Sequence, residues 1–317
     1  MTDVRTDELS GVTVVMAGSR QHRPNRPGSS CPFCVGGIEA PEPYDVKAFA
    51  NRWPSFPDDR CEVVLYTPEH DLTFPELGVD GARRVVDLWA DRTAALGRRS
   101  DVAYVLVFEN RGEEVGATIA HPHGQIYGYD QVPDVPLTEL RRAARGECPT
   151  CAPVDDTLSV ATSTGWRAWV PAASAYPYAL LLAPDVHRPD LPSLDGPQRD
   201  GLAALLVDVL ARLDRLFDAP LPYMLWIHQR PTDGRDWPLA HVHIEVAPLF
   251  RQPGIQRFVA AGELGSGVHF NPLLPEQAAA ELRELGRPSN SEVIQTTTPA
   301  PAAGVQTHTR ASLPSWR

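Results

Sequence analysis

Three landmarks recur along this chain at nearly one spacing, and that duplication limits its fold more than any single motif. Cys31 of "CPFC" and Cys148 of "CPTC" lie 117 residues apart, and so do His70 of "YTPEHDLTFPEL" and His187 of "LAPDVHRPDLPSL". His121 of "HPHGQIYGY" and His241 of "HVHIEVAPL" lie 120 apart. Three landmarks repeating in order at almost one offset mark an internal repeat. The segments between them match as well. "CEVVLY" (61–66) and "YALLLA" (178–183) read as strands, each leading to Pro, an acid and a His. A helix follows in both copies. Its apolar stripe is Val85, Leu88, Trp89 and Leu96 in the first, and Leu202, Leu205, Leu206, Val209, Leu213, Leu216 and Phe217 in the second. A strand comes next, "VAYVLVFEN" or "PYMLWIHQ", and then the His-x-His segment. Each copy is therefore expected to be an α+β unit of antiparallel strands and one long helix, the two packing as a pseudo-symmetric pair.

With 317 residues, 43% of them hydrophobic, the chain has material for a substantial core. A formal charge of -11 argues against nucleic acid or an anionic membrane bound by overall charge. No apolar run reaches the roughly 18 residues of a membrane span, and the polar N-terminus "MTDVRTDELS" does not resemble a signal peptide. A cytoplasmic location is the expectation.

Paired Cys-x-x-Cys units in such a chain point to metal or redox chemistry rather than structural disulfides. Neither pair sits at the strand-to-helix turn that a thioredoxin-like reading wants. Two thiolates and two imidazoles are instead the donors that tetrahedral zinc prefers. The repeat selects Cys31, Cys34, His70 and His121 for one zinc, and Cys148, Cys151, His187 and His241 for a second. Four protein ligands leave no open position, so both zincs would be structural. His228 and His243, with Glu139, form a competing set that could claim His241.

In "HPHGQIY" an extended backbone would put His121, His123 and Gln125 on one face. With His121 assigned to zinc, His123 is the candidate nucleophile: one ring nitrogen oriented by a backbone carbonyl leaves the other to attack. A phosphoryl group suits it as electrophile, with Gln125 as an uncharged donor to a phosphate oxygen. "GEEVGAT" just upstream offers glycines that allow close approach to phosphate.

The run "FENRGEEVGATIAHPHGQIY", with "CPFC" and "TPEHDLTFPEL" before it, resembles the galactose-1-phosphate uridylyltransferase family of the histidine-triad superfamily, over about residues 15–285. The resemblance implies two histidine-triad-like halves, 1–140 with the catalytic "HPHGQ" and 141–286, followed by a Pro/Ser/Thr-rich, disordered tail at 287–317. Hydrolases of the superfamily carry a third histidine where Gln125 stands, so the transferase branch is indicated. The implied reaction is a ping-pong exchange of UMP between UDP-glucose and a sugar 1-phosphate, galactose 1-phosphate in the named family. His123 would carry the uridylyl group, the His121 carbonyl would hold its ring, and Gln125 would bind the phosphate.

The resemblance also carries over Arg23, Arg26, Asn51, Asn110, Gly116, Thr118, Arg257, Phe258 and Glu263 as substrate contacts. It departs at Arg52, where an acid is common, and at residues 260–262, which lack an aromatic. Homodimers are usual in the family. "HVHIE" has Glu245 at the position of Gln125, and an anion there would repel phosphate, so catalysis is expected only in the first half. Competing readings are a related nucleotidyltransferase or phosphorylase using ADP-glucose or another sugar nucleotide, and a non-catalytic zinc-stapled nucleotide-binding protein.

Overall fold

The computed structural model describes residues 3–22 and 30–286. Arg23, Arg26 and the 287–317 segment lie outside them. The repeat emerges as one antiparallel sheet of nine strands. The first half supplies β1 (Lys47–Ala50), β2 (Cys61–Leu65), β3 (Tyr104–Arg111) and β4 (His123–Tyr129). The second supplies β5 (Ser159–Ser163), β6 (Trp166–Trp169), β7 (Leu180–Pro184), β8 (Tyr223–His228) and β9 (His243–Pro248). Their order across the sheet is β1-β2-β4-β3-β8-β9-β7-β6-β5, so the second half runs as the reverse of the first with one extra edge strand.

The halves join through the antiparallel pair β3–β8, where Val107 lies opposite Ile227 and Phe108 opposite Trp226. Each strand is the other's equivalent in the repeat. A two-fold relation therefore runs through the centre of the sheet.

The long helices form where the apolar stripes predict them. They are α1 (Gly78–Gly97), burying Val85, Val86, Trp89 and Leu96, and α3 (Gly196–Leu216), burying Leu202, Leu205, Leu206, Val209 and Leu213. Phe217 sits just past the end of α3 as its C-cap. At the other end Asp195 accepts from the Gln198 amide and Gln198 reaches back, a capping box that satisfies two of the exposed first-turn donors. Arg199 of α3 reaches Asp87 of α1 at 2.9 Å, and Arg83 of α1 pairs with Asp200 of α3.

The helices share one apolar core with the inward residues of the strands. Burial along β4 alternates strictly from His123 to Tyr129: Gly124, Ile126 and Gly128 face inward, while His123, Gln125 and Tyr127 are half-buried on the other face. Three further helices are α2 (Asp134–Ala143), α4 (Ala261–Ser266) and α5 (Pro275–Glu284). The joint expected at residue 140 falls inside α2. No helix of the described residues is long and apolar enough to cross a membrane.

Candidate active site

Each Cys-x-x-Cys loop meets the two histidines that the repeat assigns to it, with all four ligand atoms of a set within 4.8 Å of one another. In the first set Cys34 Sγ is 3.4 Å from His70 Nδ1 and 3.7 Å from His121 Nδ1. His121 is fully buried, and its Nε2 lies 2.8 Å from the Thr67 carbonyl. A carbonyl only accepts, so Nε2 carries the proton and Nδ1 turns its lone pair to the thiols, the tautomer a metal ligand needs. The Tyr44 hydroxyl, 3.0 Å from the same Nε2, braces the ring.

In the second set His241 Nδ1 is 3.5 Å from Cys148 Sγ and 3.3 Å from Cys151 Sγ, and His187 Nδ1 is 3.3 Å from Cys151 Sγ. Burial and then the neighbouring Cys148 push the Cys151 thiol up to about 11. Burial and then the charge of His187 bring His241 down to about 4, so its imidazole is neutral. Four crowded donors, with the Cys151 thiol raised and the His241 imidazole neutral, suit a cation that holds the thiolates ionised. Glu139, His228, His243 and Glu245 gather as a separate third group without His241. The two sets therefore do not compete for that histidine. Burial acts to raise the Glu139 carboxyl, but hydrogen bonds from His228 and His243 outweigh it and hold it at about 2.

The expected row of His121, His123 and Gln125 breaks at its first member. The strand begins only at His123, because Pro122 has no N–H for a ladder bond, and His121 stays in the bend before it with its side chain in the cysteine cluster. His123 and Gln125 do share the outer face. His123 Nδ1 donates to the His121 carbonyl at 2.8 Å, which leaves Nε2 as the ring nitrogen with a lone pair. Phe33 of the "CPFC" loop packs edge-on against the His123 ring at 5.1 Å. Asn51 donates its amide to Gln125 Oε1 at 3.2 Å. Arg20, which no sequence pattern singled out, lies 3.3 Å from the hydroxyl of Tyr127, the next residue on this face.

A cavity of about 1080 Å³ opens beside His123, lined also by Asn110, Gly112, Gly116 and Thr118. Gly112 and Gly116 hold φ of 98° and 85°, left-handed values that let the "RGEEVGAT" loop turn around the cavity. Arg257, Phe258 and Glu263 are not among its lining residues. Arg257 and Glu263 are buried and paired with each other, Arg257 stacks on Tyr176 at 4.8 Å, and Phe258 is 73% exposed. Arg52 is paired with Glu39 at 2.9 Å.

A sheet duplicated about a two-fold, with a His-x-Gln strand and a glycine-rich loop beside one cavity, places the chain among transferases of the uridylyltransferase kind. Models of this group match residues 44–133 ("Galactose-1-phosphate uridyl transferase, N-terminal domain") and 153–292 ("Galactose-1-phosphate uridyl transferase, C-terminal domain"). The galactose-1-phosphate uridylyltransferase of Thermotoga maritima is 33% identical over 90% of this chain and 98% of its own length. That of Streptomyces lividans is 34% identical over 90% and 87%. A solved structure described as a uridylyltransferase superposes with a TM-score of 0.83 at 28% identity, over 90% of this chain and 98% of that one. The chain belongs to the galactose-1-phosphate uridylyltransferase family.

Proposed function

We propose that this chain exchanges UMP between UDP-glucose and galactose 1-phosphate in two displacements on His123. The observation that carries the reading is the 2.8 Å hydrogen bond from His123 Nδ1–H to the His121 carbonyl, which aims the other nitrogen as a nucleophile. Nε2 attacks the α-phosphorus, the new P–N bond forms as the bond to the β-phosphate oxygen breaks, and glucose 1-phosphate leaves with the electron pair. The second sugar 1-phosphate attacks the same phosphorus, releasing His123 and forming the new nucleotide sugar. Gln125, its carbonyl oxygen engaged by Asn51, turns its N–H donors toward the phosphate and steadies it in both steps. Asn110, Gly116 and Thr118 line the substrate side. Arg257 and Glu263, buried and paired with each other, belong to this reading as the support of the segment that presents the exposed Phe258 to a sugar phosphate, in a chain that acts as a homodimer.

Zinc at Cys31, Cys34, His70 and His121 ties the loop that carries the His121 carbonyl, and a second zinc at Cys148, Cys151, His187 and His241 does the same for the other half. A structural zinc supplies folding energy and leaves the reaction to the side chains around it. Replacing either cysteine pair by serine should remove about one zinc per chain, measured by elemental analysis. Protein incubated with UDP-glucose labelled in the uridylyl group should retain label, and a His123→Gly variant should not; normal labelling of that variant would end the proposal. Parallel incubation with ADP-glucose separates this activity from that of an adenylyl-transferring relative.

A further inference from the structure

Among the residues lining the cavity, on the buried face of the sheet, is a carboxyl that the reaction above does not use. Glu109 is 6% exposed and sits on β3 next to Asn110, the two side chains pointing to opposite faces. The Tyr223 hydroxyl of β8 donates to its Oε1 at 2.8 Å, a bond that crosses the junction between the halves. Its Oε2 and the Tyr66 hydroxyl are both buried and lie beside each other, with no hydrogen bond of regular geometry to any other group. Tyr66 in turn sits directly under the nucleophile strand. A Cβ placed on Gly124 would lie 2.2 Å from its hydroxyl, and the Tyr66 amide donates to the Pro122 carbonyl at 3.3 Å.

The charged group nearest in sequence does not neutralise this carboxyl. Arg111 is spent on Asp214 of α3, with contacts of 2.7 and 3.1 Å, and its guanidinium lies over the Tyr223 ring at 5.5 Å. From α1 the Trp89 indole packs against the Tyr66 ring at 5.9 Å. The groups facing Glu109 are Tyr66, Tyr223 and Arg111, with Asp214 and Glu76 acting on Arg111 from behind. A bare carboxylate in such a place is costly, whereas a protonated one gains a donor on its unpartnered oxygen.

We propose that Glu109 is a positioning residue of the transfer reaction: in its protonated form it couples Tyr66, under the His123–Gly124 backbone, to Tyr223 across the junction, and so fixes the floor that aligns His123 with Asn110. Ionisation places an unpaired charge under that floor and loosens the alignment. Burial, opposed by the Tyr223 hydrogen bond, by Arg111 and by the Tyr66 hydroxyl, carries its titration to about 7, within reach of ordinary assay pH.

The inference rests on uridylyl transfer to His123. Its test is the single-turnover rate of protein labelling at saturating labelled UDP-glucose, from pH 6 to pH 8.5, for wild type, Glu109→Gln and Tyr223→Phe. Glutamine holds no titrating proton, so the ratio of variant to wild-type rate should climb about tenfold between pH 6 and pH 8 as the protonated fraction of Glu109 falls in the wild type. Tyr223→Phe removes a hydrogen bond that favours the carboxylate, so it should move the alkaline limb to higher pH, and it keeps the test open if the glutamine variant does not fold. A pH-independent ratio, or a limb that Tyr223→Phe leaves in place, overturns the proposal. A wild type that never labels overturns the transfer reading itself, and is scored first.

Discussion

At the scale of single residues, the site depends as much on what cannot be larger as on what reacts. Gly124 lies between His123 and Gln125, and a methyl there would overlap the oxygen of a fully packed tyrosine. Gly124→Ala is expected to cost about 1–3 kcal/mol, seen as a lower midpoint in denaturant, and to slow labelling further by lifting the strand off Tyr66. Glu109 leaves a mark on stability as well as on rate. Its folded titration near 7 lies above the ordinary carboxyl value of 4.5, so the native state holds the proton more tightly than the unfolded chain does. Its contribution is complete below about pH 4.5 and is lost as pH rises through 7, roughly 3 kcal/mol across that window. Denaturant titrations of Glu109→Gln should lack this decline; a decline equal to the wild type's would place the titration on another group. Neither property was legible in the sequence. Glu109 stands in "FENRG" as one acid among many, and only the inward turn of its side chain shows that it is buried between two tyrosines with Arg111 bonded to Asp214 instead.

Among elements, the long ones were legible and the short ones were not. The stripes of α1 and α3 span several turns, so a period of 3.6 stands out, and the capping box at Asp195 sharpens the start of α3. Asp195→Ala should lower stability by about 1 kcal/mol without touching labelling, measured as a shift in thermal midpoint. Strands such as β1, "KAFA", and β6, "WRAW", have only four residues. They exist because neighbouring strands offer ladder partners, and local preference carries no trace of that. The two Cys/His clusters were legible from residue type and from the spacing of the repeat. Their tightness was not: a Cβ on Gly37 would lie 2.5 Å from the Pro32 carbonyl oxygen and 2.8 Å from those of Cys31 and Cys34. Gly37→Ala should open the "CPFC" turn, lowering the zinc content by about one per chain while a Cys148/Cys151 double variant built on it loses the remainder. Unchanged content in Gly37→Ala would mean that the loop tolerates the displacement.

For the whole molecule, the decisive fact is that the halves share one sheet and one core. Residues 1–140 expressed alone would expose the inner edge of β3 and the apolar face that Tyr223, Leu225 and Ile227 cover, and should aggregate or remain unfolded by circular dichroism. The full chain should unfold in one transition by both far-ultraviolet and tryptophan signals. The duplication was visible in the spacing, but the manner of joining was not, because pairing between β3 and β8 depends on edges that no local pattern describes.

That join carries a history. Equivalent strands meeting antiparallel about a two-fold are what two copies of a single half would form by docking edge to edge. In such an ancestor every change would appear twice, and the positions now held by Gln125 and Glu245 could not differ. Fusion of such copies in one chain would leave each half free to vary alone, so that one could carry Gln125 while its twin set the Glu245 carboxylate beside two histidines.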